Sequence, residues 1–246
     1  ELNQRFTNMT NYFNKLKLYE KIEDNKNISR YIYMSSCSVY GNNKNLISER
    51  SKPKPISLYS KLCLKYEKYL KNKKKLPFTI MRLGTLYGWS NRMRYDIAIN
   101  KIIRDMIFLK KIEILGGAQV RFFCHNEFAC RVINKIISEN NNKTLNKIFN
   151  IGNFNTNIIK LSAKILRLTK FKNVNVFHET STVDKRSYKV SISSAKKFEK
   201  NNDNFNKMTN QSIIETFIRI KKDKKPFAKN KITLSIYKDF LTKNKI

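Results

Sequence analysis

Residues 30–41 read Arg-Tyr-Ile-Tyr-Met-Ser-Ser-Cys-Ser-Val-Tyr-Gly. The first six are aromatic and β-branched enough to predict a short buried strand over 30–35, closing in a serine-rich turn. A second run, Phe78 to Leu83, predicts another strand and closes in Gly84-Thr85-Leu86-Tyr87-Gly88. Between them, Ser57 to Leu70 predicts a helix that starts behind Pro55. Strand, helix, strand is a βαβ unit, and such units build a mainly parallel sheet. The alternation continues outward. Residues 2–22 predict a helix, with Phe6, Met9, Phe13, Leu16 and Leu18 at roughly helical spacing. Residues 41–55 are polar, carry Pro53 and Pro55, and predict loop. Helices are expected over 95–110, 127–138 and 157–168, and extended segments over 113–115 and 147–151, with Gly116-Gly117 as a turn. Past residue 170 the pattern weakens to a strand over 174–177 and short helices over 193–199 and 208–220. A lysine-rich tail follows from Lys221, with one apolar stretch, Ile232 to Tyr237, expected as a peripheral strand or helix.

The chain has 246 residues, of which 41% are hydrophobic and 12% aromatic, enough for a packed core and against wholesale disorder. The net charge is +33, from 51 Lys+Arg against 18 Asp+Glu. Lys outnumbers Arg, and Asn and Ile are enriched with it. That combination reads as coding bias over free surface positions more than as a phosphate-gripping face, which favours Arg. No aromatic-interleaved basic motif supports nucleic acid as a partner. Cys37, Cys63, Cys124 and Cys130 form no CxxC pair and no disulfide framework, so a reducing cytoplasm is expected. Cys124, His125 and Cys130 lack a second ligand pair at zinc spacing, and no metal is expected. No apolar run approaches a membrane span. The chain opens on Glu1, inside an amphipathic pattern, and is expected to be the later part of a longer protein.

Three clusters stand at strand ends, where open α/β sheets bind ligands. They are Ser35-Ser36-Cys37-Ser38-Val39-Tyr40-Gly41, then Ser57-Leu58-Tyr59 with Glu67 two turns on, and Arg82 to Gly88. Each alone is weak, but their order and spacing resemble the extended short-chain dehydrogenase/reductases, specifically the NAD-dependent nucleotide-sugar epimerases and dehydratases. The resemblance extends over residues 1–220. Asn3 and Thr7 resemble its NxxxT helix, and Arg92 to Asp96 its MRFD stretch. Gly116 to Arg121, with Phe122 to His125, resembles GGxxxRxxxH. Asn150-Ile151-Gly152 resembles NxG, and Asp184 to Tyr188 resembles DxRxY.

The resemblance implies an α/β fold: the C-terminal part of a Rossmann-like parallel sheet with a smaller α/β substrate domain. Residues 1–91 and 126–169 would form a partial NAD-binding domain lacking its first strands. Residues 92–125 and 170–222 would form the substrate-binding domain, and 223–246 a basic tail. The family's glycine-rich dinucleotide loop has no counterpart among the six glycines, and the strand over 30–35 is expected to show an open edge.

By the same resemblance, Tyr59 is the general acid/base and Ser36 orients the reacting oxygen, with Ser38 a nearby alternative. Ser36, Tyr59 and Cys63 stand where the family holds its cofactor, NAD, with NADP not excluded. Thr85, Arg121 and Arg186 match positions that grip a nucleotide-diphosphate sugar. Dehydratases carry Asp and Glu where this chain has Cys37 and Ser38, which leaves epimerisation or keto-sugar reduction; a non-catalytic sugar-nucleotide-binding protein is the alternative. Phe128 replaces a usual Asp, and His125 is expected to be structural. The family's homodimers imply a self-association face, to which Phe13 and Leu70 are candidates.

One departure concerns chemistry. Cys63 stands where the family's YxxxK has Lys, and Lys61 sits around the helix on another face. An ammonium about 5 Å from a phenolate is worth roughly 3 kcal/mol at an effective dielectric of 20. Without it, Tyr59 is expected near the ordinary phenol value and is a poor base at neutrality. Three readings stay open: a degenerate enzyme, another Lys substituting in space, or a subfamily that works with a neutral residue.

Overall fold

The computed structural model describes residues 3–138, 143–180, 186–199 and 205–243. The N-terminal helix runs as α1 (Gln4–Asn8), a π turn (Met9–Phe13) and α2 (Asn14–Ile22), capped by Asn3 Oδ1, which accepts from Phe6 N. Then come β1 (Tyr31–Ser36), a 3₁₀ turn (Cys37–Tyr40), β2 (Asn42–Ile47), α3 (Leu58–Lys73), β3 (Phe78–Leu83) and β4 (Thr85–Tyr87). The chain continues through α4 (Ala98–Phe108), β5 (Lys111–Leu115), β6 (Val120–His125), α5 (Asn126–Ser138), β7 (Lys147–Ile151), β8 (Phe154–Asn157) and α6 (Ile158–Thr169). It closes with β9 (Asn175–Glu179), β10 (Ser187–Val190), α7 (Ser193–Lys196), α8 (Phe205–Lys221) and α9 (Thr233–Lys243).

The central sheet is parallel, in the order β1-β3-β7, and Ser36 pairs with Leu83 at its carboxyl end. Three smaller sheets surround it: β2 with β10, β4-β6-β8, and β5 with β9. β1 lies at the edge, as expected, and among the described residues its outer side is unpaired. The strand is half-buried instead of fully buried. Tyr33 and Ser35 are covered by α3, whereas Met34 on the opposite face is 40% exposed. An edge strand covered by helix on one face alternates in this way.

Four other expectations change. Residues 42–47, expected in a loop, form β2, which pairs in parallel with β10. Backbone pairing accounts for this strand, because all its side chains but Ile47 stay at least partly outside. Gly41 turns the chain into it at φ 66°, where a Cβ would strike the Lys54 carbonyl. The first helix buries Tyr12 and Tyr19, while Phe13 is 45% and Leu18 51% exposed. The π turn inserts extra residue per turn and rotates the face that the apolar spacing predicts. The helix expected over 95–110 is shorter, Ala98–Phe108. Leu70 is fully buried between α3 and the sheet and contributes to no outer face.

The tail is anchored. Asp223 accepts from Tyr95 Oη at 2.6 Å and from Lys231 Nζ, and α9 packs Tyr237 edge-on and Phe240 tilted against Phe6 of α1. No helix among the described residues is long and apolar enough to cross a membrane.

Candidate active site

The site grows from the packing of α3 on β1. Ser57 caps α3 by accepting from Ser60 N at 3.2 Å. From there Tyr59, Cys63 and Glu67 recur every fourth residue along one face, the spacing that aligns side chains on a helix. That face meets Tyr33, Ser35 and Ser36 of β1.

Glu67 fixes the lower end. It is 1% exposed and accepts from Ser35 Oγ at 2.5 Å and from Arg82 Nε at 3.0 Å. Arg82 also donates to Tyr40 Oη at 2.8 Å, and Tyr40 donates to Asn150 Oδ1 at 2.8 Å. The Cys37 thiol donates to the Arg82 carbonyl. The serine-rich turn is therefore bolted to α3, β3 and β7 by buried polar contacts that leave few alternatives.

Tyr59 occupies the upper end. The Ser36 and Tyr59 hydroxyls share a hydrogen bond, and the Cys63 thiol lies against the same phenol oxygen. Ser36 Oγ accepts from Ser38 N at 3.2 Å, so its own proton is available to Tyr59. The Tyr59 ring is 38% exposed, while burial at its hydroxyl end pushes the phenol above its ordinary value. Cys63 and Ser36 act in opposite senses: the sulfur raises the phenol further, whereas the serine hydroxyl lowers it. The expectation of a phenol near its ordinary value thus gives way to a weaker acid, because the pocket is drier than the sequence indicates.

The buried Ser38 Oγ has no hydrogen-bond partner among protein atoms. Leaving such a hydroxyl unmatched costs about 1–3 kcal/mol, which a ligand at this turn would offset. With the Ser36 and Tyr59 hydroxyls beside it, the turn fits the nicotinamide-ribose end of a dinucleotide at the carboxyl end of a parallel sheet. The six glycines include no GxGxxG, so no residue of this chain matches the pyrophosphate loop.

Thr85 stands on β4 just past the end of β3, opposite Phe123 of β6, and Arg121 lies two residues earlier on β6. Arg121 donates to the Arg186 carbonyl, so these two substrate candidates are neighbours. Asp184 and Lys185 of the DxRxY match lie outside the described residues. His125 is buried against Tyr87, ring centroids 5.1 Å apart, and burial pushes its imidazole down to about 4. Phe128 is fully buried and packs edge-on to Phe205 at 5.5 Å, replacing a polar contact by apolar core.

The structure adds three residues that sequence reasoning passed over. The Tyr33 hydroxyl lies against the Cys63 thiol. The Arg94 guanidinium, paired with Asp96 at 2.8 Å, favours the Tyr59 phenolate through space. Lys15 places Nζ 5.0 Å from the Tyr33 ring centroid. A basic residue between regularly spaced tyrosines was the available signal for Lys15; for Arg94 it was the resemblance of Arg92 to Asp96 to the MRFD stretch.

A parallel sheet with helices between its strands and a tyrosine–serine hydroxyl pair at its carboxyl end defines a Rossmann-like α/β class of protein. The model of the NAD dependent epimerase/dehydratase family matches residues 4–152, more than half of the chain, and the chain belongs to that family. It is 31% identical over 106 residues to the uncharacterized UDP-glucose epimerase YtcB of Bacillus subtilis, a match covering 40% of this chain and 32% of that protein. The matched stretch thus spans about a third of that curated relative. The fold resembles UDP-glucuronic acid 4-epimerase from Bacillus cereus, solved with UDP-glucuronic acid and NAD, at TM-score 0.69 and 23% identity. That match covers 86% of this chain and 67% of the other. UDP-N-acetylglucosamine 4-epimerase from Methanobrevibacter ruminantium gives TM-score 0.72 at 23% identity, covering 86% and 68%. dTDP-glucose 4,6-dehydratase from Bacillus anthracis, solved with NAD, gives 0.71 at 20%, covering 89% and 69%.

Proposed function

We propose that this chain carries the proton-transfer and substrate-binding part of an NAD-dependent enzyme acting on a sugar carbon of a nucleotide-diphosphate sugar, as an epimerase or keto-sugar reductase. The observation that carries the reading is the hydrogen bond between Ser36 and Tyr59 at the carboxyl end of the parallel sheet. NAD, when bound, supplies the acceptor and donor of hydride at that carbon. Tyr59 moves the proton at the sugar oxygen, and Ser36 holds that oxygen in line. Cys63 stands in the position where the family resemblance implies a cofactor contact. Thr85, Arg121 and Arg186 hold the diphosphate, for which a guanidinium fork is suited. Cys37 and Ser38, in place of acids, disfavour water elimination.

Keto-sugar reduction has a specific support. Burial keeps the Tyr59 phenol protonated at neutral pH, and a protonated phenol is the form that donates to a carbonyl oxygen. Epimerisation begins with the reverse transfer, to a phenolate that the Arg94 guanidinium favours. The enzyme works in the cytoplasm, consistent with the free Cys37, Cys63, Cys124 and Cys130, and pairs as a homodimer through the face bearing Met9 and Phe13.

The test is a panel of UDP-, GDP- and dTDP-linked sugars and 4-keto sugars offered to the complete protein with NAD or its reduced form. Isomer formation or consumption of the keto sugar, separated by chromatography, is expected for one nucleotide class. Binding without turnover across the panel would overturn the enzymatic reading.

A further inference from the structure

Cys63 cannot supply the positive charge that a tyrosine base needs, and the surroundings of the Tyr59–Cys63 pair show where such a charge stands. Tyr12, Lys15 and Tyr19 follow one another at helical spacing on the N-terminal helix. Tyr12 and Tyr19 are 9% and 0% exposed, and Lys15, half-buried, stands between them on the side facing α3. Lysine is costly there unless its charge has work to do. Its backbone carbonyl accepts from Tyr66 Oη at 3.0 Å, which ties this turn of α2 to α3. Its Nζ lies 5.0 Å from the Tyr33 ring centroid. The Tyr33 hydroxyl touches Cys63, and Cys63 touches Tyr59. Among the described residues no carboxylate pairs with Lys15, in contrast to Lys75, Lys101 and Lys231. The π turn just before it sets the helix rotation that brings Lys15 to this face.

We infer that Lys15 is a positioning residue whose ammonium, entering from α2 behind Tyr33 and Cys63, supplies the positive field that favours ionisation of Tyr59. The inference deepens the proposed function and rests on Tyr59 being its proton-transfer group. The charged and titratable groups facing the cluster are Glu67 and Cys63 on α3, Tyr33 on β1, Arg94 on the loop before α4, and Lys15 itself. Glu67 opposes ionisation of the neighbouring Cys63, and its charge is held by Arg82. Arg94 assists from the open side, and Lys15 from the interior side. Burial lowers the Lys15 ammonium, and the Cys63 sulfur works against that lowering.

The test places difluorotyrosine at position 59 of the full chain and follows its ionisation by fluorine NMR. The ring fluorines bring the phenol into a range where the protein stays folded. Lys15→Met is expected to raise the phenol pKa by about half a unit or more, an effect of the size a nearby charge exerts. Lys15→Arg is expected to restore most of it. A smaller shift in the Met variant, or no recovery with Arg, overturns the inference. Lys15→Gln serves in its place if circular dichroism shows the Met variant unfolded. The titration uses no substrate, so it decides the role of Lys15 separately from the enzymatic reading, which fails on the substrate panel alone.

Discussion

The Glu67 carboxylate and the Arg82 guanidinium form a buried two-pronged pair, Nε to Oε1 at 3.0 Å and Nη2 to Oε2 at 2.5 Å. Their side chains are 1% and 3% exposed. This pair holds α3 against β3 and, through the Ser35 bond, sets the height at which Tyr59 meets Ser36. Glu67→Ala leaves the guanidinium uncompensated and is expected to cost about 3–5 kcal/mol of unfolding free energy, measured by urea denaturation. Glu67→Ala combined with Arg82→Met should recover part of that loss. A single variant as stable as the parent would contradict the anchoring role.

His125 gives the fold an acid sensitivity. Its folded value, about 4, lies below the ordinary 6.5, so the fold prefers the neutral ring. The corresponding stability is complete above the ordinary value and drains away as pH falls from 6.5 toward 4. By mid-window the loss is about 1.7 kcal/mol, roughly half of the full amount. Denaturation curves for the parent and for His125→Gln, recorded above and within this window, should converge as the solution is acidified. Parallel pH dependences in the two proteins would refute the assignment.

Restoring lysine beside Tyr59 is informative in the complete protein. Cys63→Lys places an ammonium where the thiol now touches the phenol, which favours the phenolate and lowers its pKa by about 1–3 units. The basic limb of the rate profile should move to lower pH, and NAD affinity should rise. If neither the pH optimum nor the NAD affinity moves, position 63 has been misread.

Arg121 is expected to bind the substrate diphosphate. Arg121→Gln keeps a donor for the Arg186 carbonyl but removes the charge. A charge-assisted hydrogen bond is worth about 1.5–3 kcal/mol, so nucleotide-sugar affinity should fall by about tenfold or more. Calorimetric titration with a nucleotide sugar checks this, and unchanged affinity would remove Arg121 from the site.

The βαβ frame was legible because three signals agreed along residues 30–88: strand composition, a proline-led helix start, and turns with glycine at Gly41 and Gly88. Phe78–Leu83 and Lys147–Ile151 fall where their apolar runs place them. β2 was hidden because its side chains stay mostly in solvent and only its backbone pairs, with a strand far along the chain. The inward face of the first helix was misread because a π turn leaves no mark in hydrophobic spacing and because buried tyrosines were not counted as core. At the site, the family resemblance pointed to Ser36, Tyr59 and Cys63. Lys15 and Tyr33 approach from other elements, and only tertiary packing brings them to Cys63. The upward displacement of the Tyr59 phenol was equally out of reach, since dryness belongs to the assembled pocket.

The central claim is that Tyr59 transfers the proton while Ser36 aligns the oxygen. It is tested most directly by Tyr59→Phe in the complete protein, with turnover and nucleotide-sugar binding measured on the same preparation. The account predicts a loss of turnover of about a hundredfold or more with affinity nearly unchanged, because only the hydroxyl is removed. Turnover within a few-fold of the parent would contradict it.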